Sequence, residues 1–231
     1  MARPLTGRGV RVAVVDSGVH AAHPHVVGSV AGGVAIDDEG REHADYVDRL
    51  GHGTAVAAAI KEKAPDAELY AVKVFDRSLS TRISTLVAAI DWSARNGMHL
   101  VNLSLGTARI EHESALTEAI RRAAARGAVV VAAAEDSGVR WLPGSLPGVV
   151  SVRLDASCPR HLYRVTGGVA PVFCASGFPR PIAGVPPERN LNGISFAVAN
   201  MSGFAACARE EAVDGSIDEI VRLLAVRRPD A

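Results

Sequence analysis

Three stretches of this 231-residue chain carry residue types that could together perform nucleophilic chemistry. Asn192-Gly193-Ile194-Ser195-Phe196-Ala197 is a glycine-led turn delivering Ser195 to the first turn of an apolar helix that runs on through Met201, Gly203 and Phe204. Backbone N–H groups in a first helical turn lack helical partners and stand at the positive end of the dipole. They stabilise negative charge developing on a bound carbonyl oxygen. A serine at a helix start is more commonly a cap, so this feature carries weight only in company. Val12-Ala13-Val14-Val15-Asp16-Ser17-Gly18 is a buried strand ending in a carboxylate, and an acid placed directly after Val14-Val15 needs a buried partner. Gly51-His52-Gly53-Thr54 sets a histidine at a helix start between two glycines, which cost conformational entropy and imply close approach of other backbone.

A serine hydroxyl is a poor nucleophile until an imidazole takes its proton. The imidazole in turn needs a carboxylate to fix its tautomer and stabilise its charged form. Ser195 is therefore the candidate nucleophile, His52 the general base and acid, and Asp16 the orienting carboxylate. The remaining histidines, from His20 to His161, lack such surroundings and read as surface or loop residues.

The elements that must position these residues alternate. Short apolar, β-branched runs at 10–15, 68–74, 99–103, 128–133 and 149–154 read as inner strands. Helical patterns over 53–63, 83–96 and 114–126 lie between them, with Asn96-Gly97 and Arg126-Gly127 as stops. Strand and helix at this pitch predict an α/β fold, a parallel sheet sandwiched by helices, with the site at the carboxyl ends of the strands. Residues 155–191 are rich in Pro, Gly and Arg and predict loops around one short strand at 170–174. A last amphipathic helix is expected over 216–226, with Ser216 as cap and Glu219 completing a capping box. Arg227-Arg228-Pro229 reads as a solvated charged tail.

This length suits a single domain, 1–231, with its core at about 8–210. A formal net charge of zero leaves no electrostatic footprint for nucleic acid or acidic lipid. No segment reads as a signal peptide or membrane span, so a cytoplasmic protein is expected. Cys158, Cys174 and Cys207 form an odd set without metal spacing, as suits a reducing compartment, with a Cys158–Cys174 bridge left open. Asp37, Asp38 and Glu39 read as a solvated turn, and neither metal nor cofactor is expected.

The three motifs, in the chain order Asp, His, Ser, resemble those of the subtilase family of serine peptidases. Asp16-Ser17-Gly18-Val19 with His23-Pro24 resembles the family's aspartate motif, and Gly51-His52-Gly53-Thr54 its histidine motif. Asn192–Ala197 resembles its serine motif, with Ile194 and Phe196 in place of Thr and Met. The stretches 64–74, 101–106 and 129–134 are similar to family strand segments in the right order. The resemblance implies a serine endopeptidase acting on peptides or proteins through an acyl-enzyme. It implies that Ser104-Leu105-Gly106 is the edge to which substrate adds as a strand, opposite 77–81. Ala133, Ala134 and Glu135 would wall the pocket for the residue before the scissile bond.

The chain departs from the family where Gly-Asn should follow the alanine run and Glu135-Asp136 stands instead. The family asparagine donates to the oxyanion beside the backbone of the serine, and losing it costs about 10² to 10³ in turnover. Asp136 could take that place beside Ser195 only as a protonated acid. Glu135 has three readings: it points into the pocket and selects Arg or Lys, it narrows the pocket, or it faces solvent. There is no room for a calcium loop between His52 and Pro65, and Val198-Ala199-Asn200 replaces Ser-Pro-His. A dedicated task such as peptide maturation is expected. The rivals are a peptide-binding module that has lost turnover, a peptide ligase or macrocyclase, and a nucleotide-binding α/β protein. The last is disfavoured because no glycine-rich phosphate cradle follows the first strand.

Overall fold

A computed structural model of the protein describes residues 3–168 and 170–227. The strands are β1 (Arg11–Asp16), β2 (Val30–Ile36), β3 (Glu42–His43), β4 (Glu68–Lys73), β5 (Leu100–Leu103), β6 (Val129–Ala133), β7 (Glu135–Asp136), β8 (Val139–Arg140), β9 (Val149–Leu154), β10 (Tyr163–Thr166) and β11 (Val172–Ala175). The helices are α1 (His52–Lys63), α2 (Ile83–Arg95), α3 (Glu113–Ala124), α4 (Ile194–Glu211) and α5 (Ile217–Val226). Among the described residues one sheet runs β10-β11-β9-β6-β5-β1-β4-β2-β3, parallel except for its two outermost pairs, β10–β11 and β2–β3. The expected α/β sandwich is the fold observed.

The central strand explains why the sequence runs are unbroken rather than alternating. Val12 and Val14 face a core shared with α1 and α4, while Ala13 and Val15 face a second core against α2 and α3. A strand covered on both faces must be apolar at every position. Burying each valine or leucine in these layers contributes about 1.5–3 kcal/mol.

Five strands escaped the sequence pattern, the short β3, β7 and β8 together with β2 and β10. β2 contains Gly32-Gly33, and a Cβ on Gly33 would lie 2.5 Å from the Ala71 carbonyl oxygen. The glycine is there because the strands approach closely, not because the chain bends. β10 is an antiparallel edge strand inside the stretch expected to be loop, and the short strand expected at 170–174 forms at Val172–Ala175.

The helix ends follow the expected chemistry. Gly97 (φ 70°) and Gly127 (φ 77°) leave α2 and α3 in the left-handed conformation. Ser216 Oγ accepts from the Glu219 N–H at 3.2 Å. The Glu219 carboxylate reaches past Ser216 to the N–H groups of Asp214 and Gly215, at 2.9 and 3.1 Å, so the reciprocal half of the capping box is displaced upstream. Arg227 pairs with Glu211, and Arg228 and Pro229 of the expected tail lie outside the described residues. The Cys158–Cys174 bridge left open by the sequence is not formed. Among the described residues no helix is long and apolar enough to cross a membrane.

α1 and α4 cross closely in the first core. A Cβ on Gly203 would meet Lys63 Cβ at 2.6 Å and the Ile60 carbonyl oxygen at 2.9 Å. This packing brings the starts of the two helices, with His52 and Ser195, to the carboxyl edge of the sheet where β1 ends in Asp16.

Candidate active site

Asp16 is fully buried at the end of β1. Its Oδ1 accepts from its neighbour's N–H, Ser17, at 2.7 Å and lies 2.8 Å from His52 Nδ1. The close approach depends on Gly53, where a Cβ would lie 2.2 Å from the Gly18 carbonyl oxygen and 3.1 Å from Asp16 Cβ. Gly51 precedes the helix at φ 82°, a conformation that favours glycine. The two glycines flanking His52 therefore have distinct jobs, one turning the backbone and the other making room for the carboxylate.

The His52 side chain is only 15% exposed. Burial pushes its pKa down, but the hydrogen bond and charge of Asp16, helped by the charge of Asp48, outweigh burial and hold it above the ordinary imidazole value. Its ring also packs against Phe196 of α4 with centroids 5.5 Å apart.

Asp48 was not singled out by the sequence, yet it organises this corner. Its Oδ1 accepts from Ser17 Oγ (2.9 Å) and from the N–H groups of Leu50 (2.9 Å) and Gly51 (2.8 Å). Its Oδ2 accepts from the Thr54 N–H (2.9 Å) and hydroxyl (2.6 Å). Ser17 Oγ in turn accepts from the Gly53 N–H at 2.9 Å, so β1, the loop and the start of α1 form one polar knot. Burial raises the Asp48 pKa, but these donors, Thr54 foremost, lower it further, and the net position is below the usual carboxylate range.

Ser195 enters from the other side. Gly193 at φ 142° and ψ −179° occupies a region essentially restricted to glycine, and its N–H donates to the Gly177 carbonyl at 2.9 Å. Buried Asn200, one of the departures from the family pattern, donates to the carbonyls of Ser176 and Phe178 at 3.0 and 3.1 Å and fixes the same loop against α4. From β5, Asn102 donates to Ser104 Oγ (2.9 Å) and accepts from the Ser202 hydroxyl (2.9 Å), and Ser104 Oγ donates to the Ser195 carbonyl (3.2 Å). The Ser195 hydroxyl donates to the Ser104 carbonyl at 3.1 Å, and among the described residues it makes no hydrogen bond to His52.

His52 and Ser195 nevertheless share one cavity of about 210 Å³, together with Ser104, Leu105, Gly106 and Ala133. Leu79, from the stretch expected to form the opposite edge, and Trp141 also line it. Ala134, Glu135 and Asp136, expected at the pocket and the oxyanion site, are not among its lining residues. The chain after Ala133 folds into the β7–β8 hairpin, with Ser137 (φ 52°) and Gly138 (φ 80°) making the turn. This carries both carboxylates off the cavity: Glu135 pairs with Arg153 at 2.8 Å, and Asp136 accepts from Ser137 Oγ at 3.2 Å. Neither the basic-residue preference drawn from Glu135 nor an oxyanion role for Asp136 has support in this placement. Asp48, Asn102 and Trp141 are the site residues that sequence reasoning missed. A lone Asn inside the apolar run of β5 was the one legible signal among them.

A larger cleft of about 690 Å³ lies at the β2–β3 edge, walled by charged residues including Asp37, Lys73 and Asp76. It contains neither His52 nor Ser195. Asp37 there is consumed by its own turn, accepting from Arg41 and lying 2.9 Å from His43 Nε2.

Fold and site together define an α/β protein with a buried acid–imidazole pair and a helix-start serine at the carboxyl edge of a parallel sheet. Residues 7–158 match the model of the subtilase family. Subtilisin Savinase of Lederbergia lenta is 34% identical over 226 residues, covering 90% of this chain and 79% of that protein. An alkaline protease of Alkalihalobacillus alcalophilus is 34% identical over 226 residues, covering 90% and 56%. A thermostable alkaline protease of Halalkalibacterium halodurans is 37% identical over 219 residues, covering 90% and 58%. The chain thus spans little more than half the length of several curated relatives it matches. The crystal structure of a cold adapted subtilisin-like serine proteinase shares the fold, with a TM-score of 0.76 at 24% identity over 98% of this chain and 84% of that one. The chain belongs to the subtilase family.

Proposed function

We propose that the protein is a serine endopeptidase that cleaves peptide bonds through an acyl-enzyme on Ser195, with His52 as general base and acid and Asp16 as the orienting carboxylate. The observation that carries this reading is the 2.8 Å contact of the buried Asp16 with His52 Nδ1, on the floor of the cavity that Ser195 also lines. Rotation of the Ser195 side chain away from the Ser104 carbonyl would turn its hydroxyl toward the imidazole. His52 then takes the hydroxyl proton as Oγ attacks the substrate carbonyl, and returns it to the leaving amine. Water repeats the sequence on the ester. The Ser195 N–H, in the first turn of α4, would donate to the oxyanion.

The substrate is a peptide or protein laid along Ser104–Gly106. A cavity this small and apolar favours a selective cut and so a maturation task over bulk digestion. An odd set of three cysteines without metal spacing suits a reducing compartment such as the cytoplasm. No nucleic-acid or membrane partner is invoked, consistent with a net charge of zero.

The reading is tested by incubating the protein with a peptide library and weighing the products, with Ser195→Ala as control, alongside labelling by a fluorophosphonate. Cleavage and labelling that both vanish in the variant are expected. A chain that binds peptides but neither cleaves nor labels would be the non-catalytic module. Products lighter than hydrolysis fragments by one water would indicate ligation or macrocyclisation.

A further inference from the structure

The cavity beside Ser195 is closed by a residue with no counterpart among the motifs. Trp141 follows the β7–β8 hairpin, and its position is fixed from several directions. Its N–H donates to the Ala134 carbonyl at 2.9 Å, and the next residue, Leu142, exchanges backbone hydrogen bonds with Thr107 at 2.8 and 2.9 Å. The hairpin behind it is pinned on one arm by Glu135 with Arg153 at 2.8 Å. The other arm is pinned by Arg140, which reaches Glu113 at 3.0 Å and Ser145 Oγ at 2.9 Å. Held this way, the indole lies against the backbone of Gly106: its Cε3 is 2.9 Å from where a Cβ on that residue would stand. The ring therefore stands against Gly106 and walls the same cavity as Ala133.

We infer that Trp141 sets the specificity of cleavage by filling the pocket for the side chain before the scissile bond, so that only small residues, glycine, alanine or serine, are accepted there. The inference rests on the peptidase reading above. A peptide with its carbonyl over Ser195 and its acyl-side backbone along Ser104–Gly106 points that side chain into the cavity that Gly106, Ala133 and the indole wall. What remains is about 210 Å³, shared with His52 and Ser195. The walls are Leu105, Ala133, Trp141, Ile194 and Val198, with no carboxylate to hold a basic side chain. A large side chain would have to displace a ring whose backbone is anchored on both sides, at the cost of overpacking.

The test is a series of peptides differing only at the residue before the cut, from Gly, Ala and Ser to Leu, Phe and Arg, measured as kcat/KM for the wild type, Trp141→Phe and Trp141→Gly. The wild type should prefer Ala over Phe by at least about tenfold, the order of discrimination that pocket volume provides. Trp141→Gly should raise the Phe-to-Ala ratio at least about tenfold, and Trp141→Phe, which keeps an aromatic ring in place, should raise it less. Fluorophosphonate labelling in parallel reports whether each variant is folded and armed. A labelled wild type that cleaves after Phe or Arg as readily as after Ala overturns the inference and leaves the peptidase reading intact, as does a labelled Trp141→Gly with an unchanged ratio. A wild type that neither labels nor cleaves removes both.

Discussion

The hydroxyl of Ser195 donates to the carbonyl oxygen of Ser104, 3.1 Å away, while His52 faces Asp16 at 2.8 Å. The nucleophile and the acid–base pair are thus each hydrogen-bonded, but not to one another. On the proposed mechanism they couple through one side-chain rotation. Asp16→Asn leaves the volume unchanged but removes the charge and favours the wrong imidazole tautomer, so kcat should fall about 10⁴-fold with little loss of folding. Steady-state kinetics beside a thermal melt separates the two effects. A drop of less than about tenfold would show that Asp16 does not orient the base.

The proton affinity of His52 gives a second expectation. Because Asp16 outweighs burial and lifts its pKa above the ordinary value, the imidazole becomes a base only at higher pH. The rise of kcat/KM with pH should have its midpoint above the ordinary imidazole range, and Asp16→Asn should move that midpoint down. The folded state favours the imidazolium, so this group's contribution to stability is complete below the unfolded imidazole pKa and is lost as pH climbs through the folded one. A pH–rate profile whose acid limb ends below the ordinary value would contradict the arrangement.

Asp48 titrates in the opposite sense. Its folded pKa lies below the carboxylate range, so its contribution is present above the unfolded value and disappears as pH falls through the folded one. Asp48→Asn should therefore lower Tm at neutral pH and converge with the wild type in acid. Equal melting curves at every pH would mean that the five hydrogen bonds to this carboxylate contribute nothing net.

Gly53→Ala should be far more damaging than its size suggests. The added methyl group would lie 2.2 Å from the Gly18 carbonyl oxygen, in a site with no slack. Overpacking of this kind costs about 1–3 kcal/mol and would push His52 away from Asp16. Urea denaturation and fluorophosphonate labelling should both register it. Retained labelling at the wild-type rate would show that the contact yields.

Asp136→Asn discriminates the observed hairpin from the family pattern. An oxyanion donor is worth about 10² to 10³ in turnover. With Asp136 off the cavity, the substitution should alter kcat by less than about threefold. A gain of a hundredfold would restore Asp136 to the oxyanion site.

Much of this was legible because period and punctuation are local properties. The continuous apolar runs of β1, β5 and β6 announced strands covered on both faces, and the glycines around His52 announced crowding. The order of the three motifs identified the family. What escaped depends on partners distant in sequence. β2 was hidden by a glycine pair whose reason is the Ala71 carbonyl across the sheet. Asp48 looked like any loop acid because its donors, Ser17 and Thr54, converge on it only after α1 docks on β1. The residue types alone did not settle where Glu135-Asp136 goes, because a tight turn at Ser137-Gly138 reverses the chain into a hairpin there.

The six residues Glu135–Arg140 leave the scaffold and return at nearly the same place, closed by their own turn and braced by ion pairs on both arms. Such a piece can be exchanged for a longer or shorter one without moving the acid, the imidazole or the serine. On the proposed function, the choice of bond to be cut would thereby be separated from the residues that cut it, and grafting this loop between relatives would be a compact route to new selectivity.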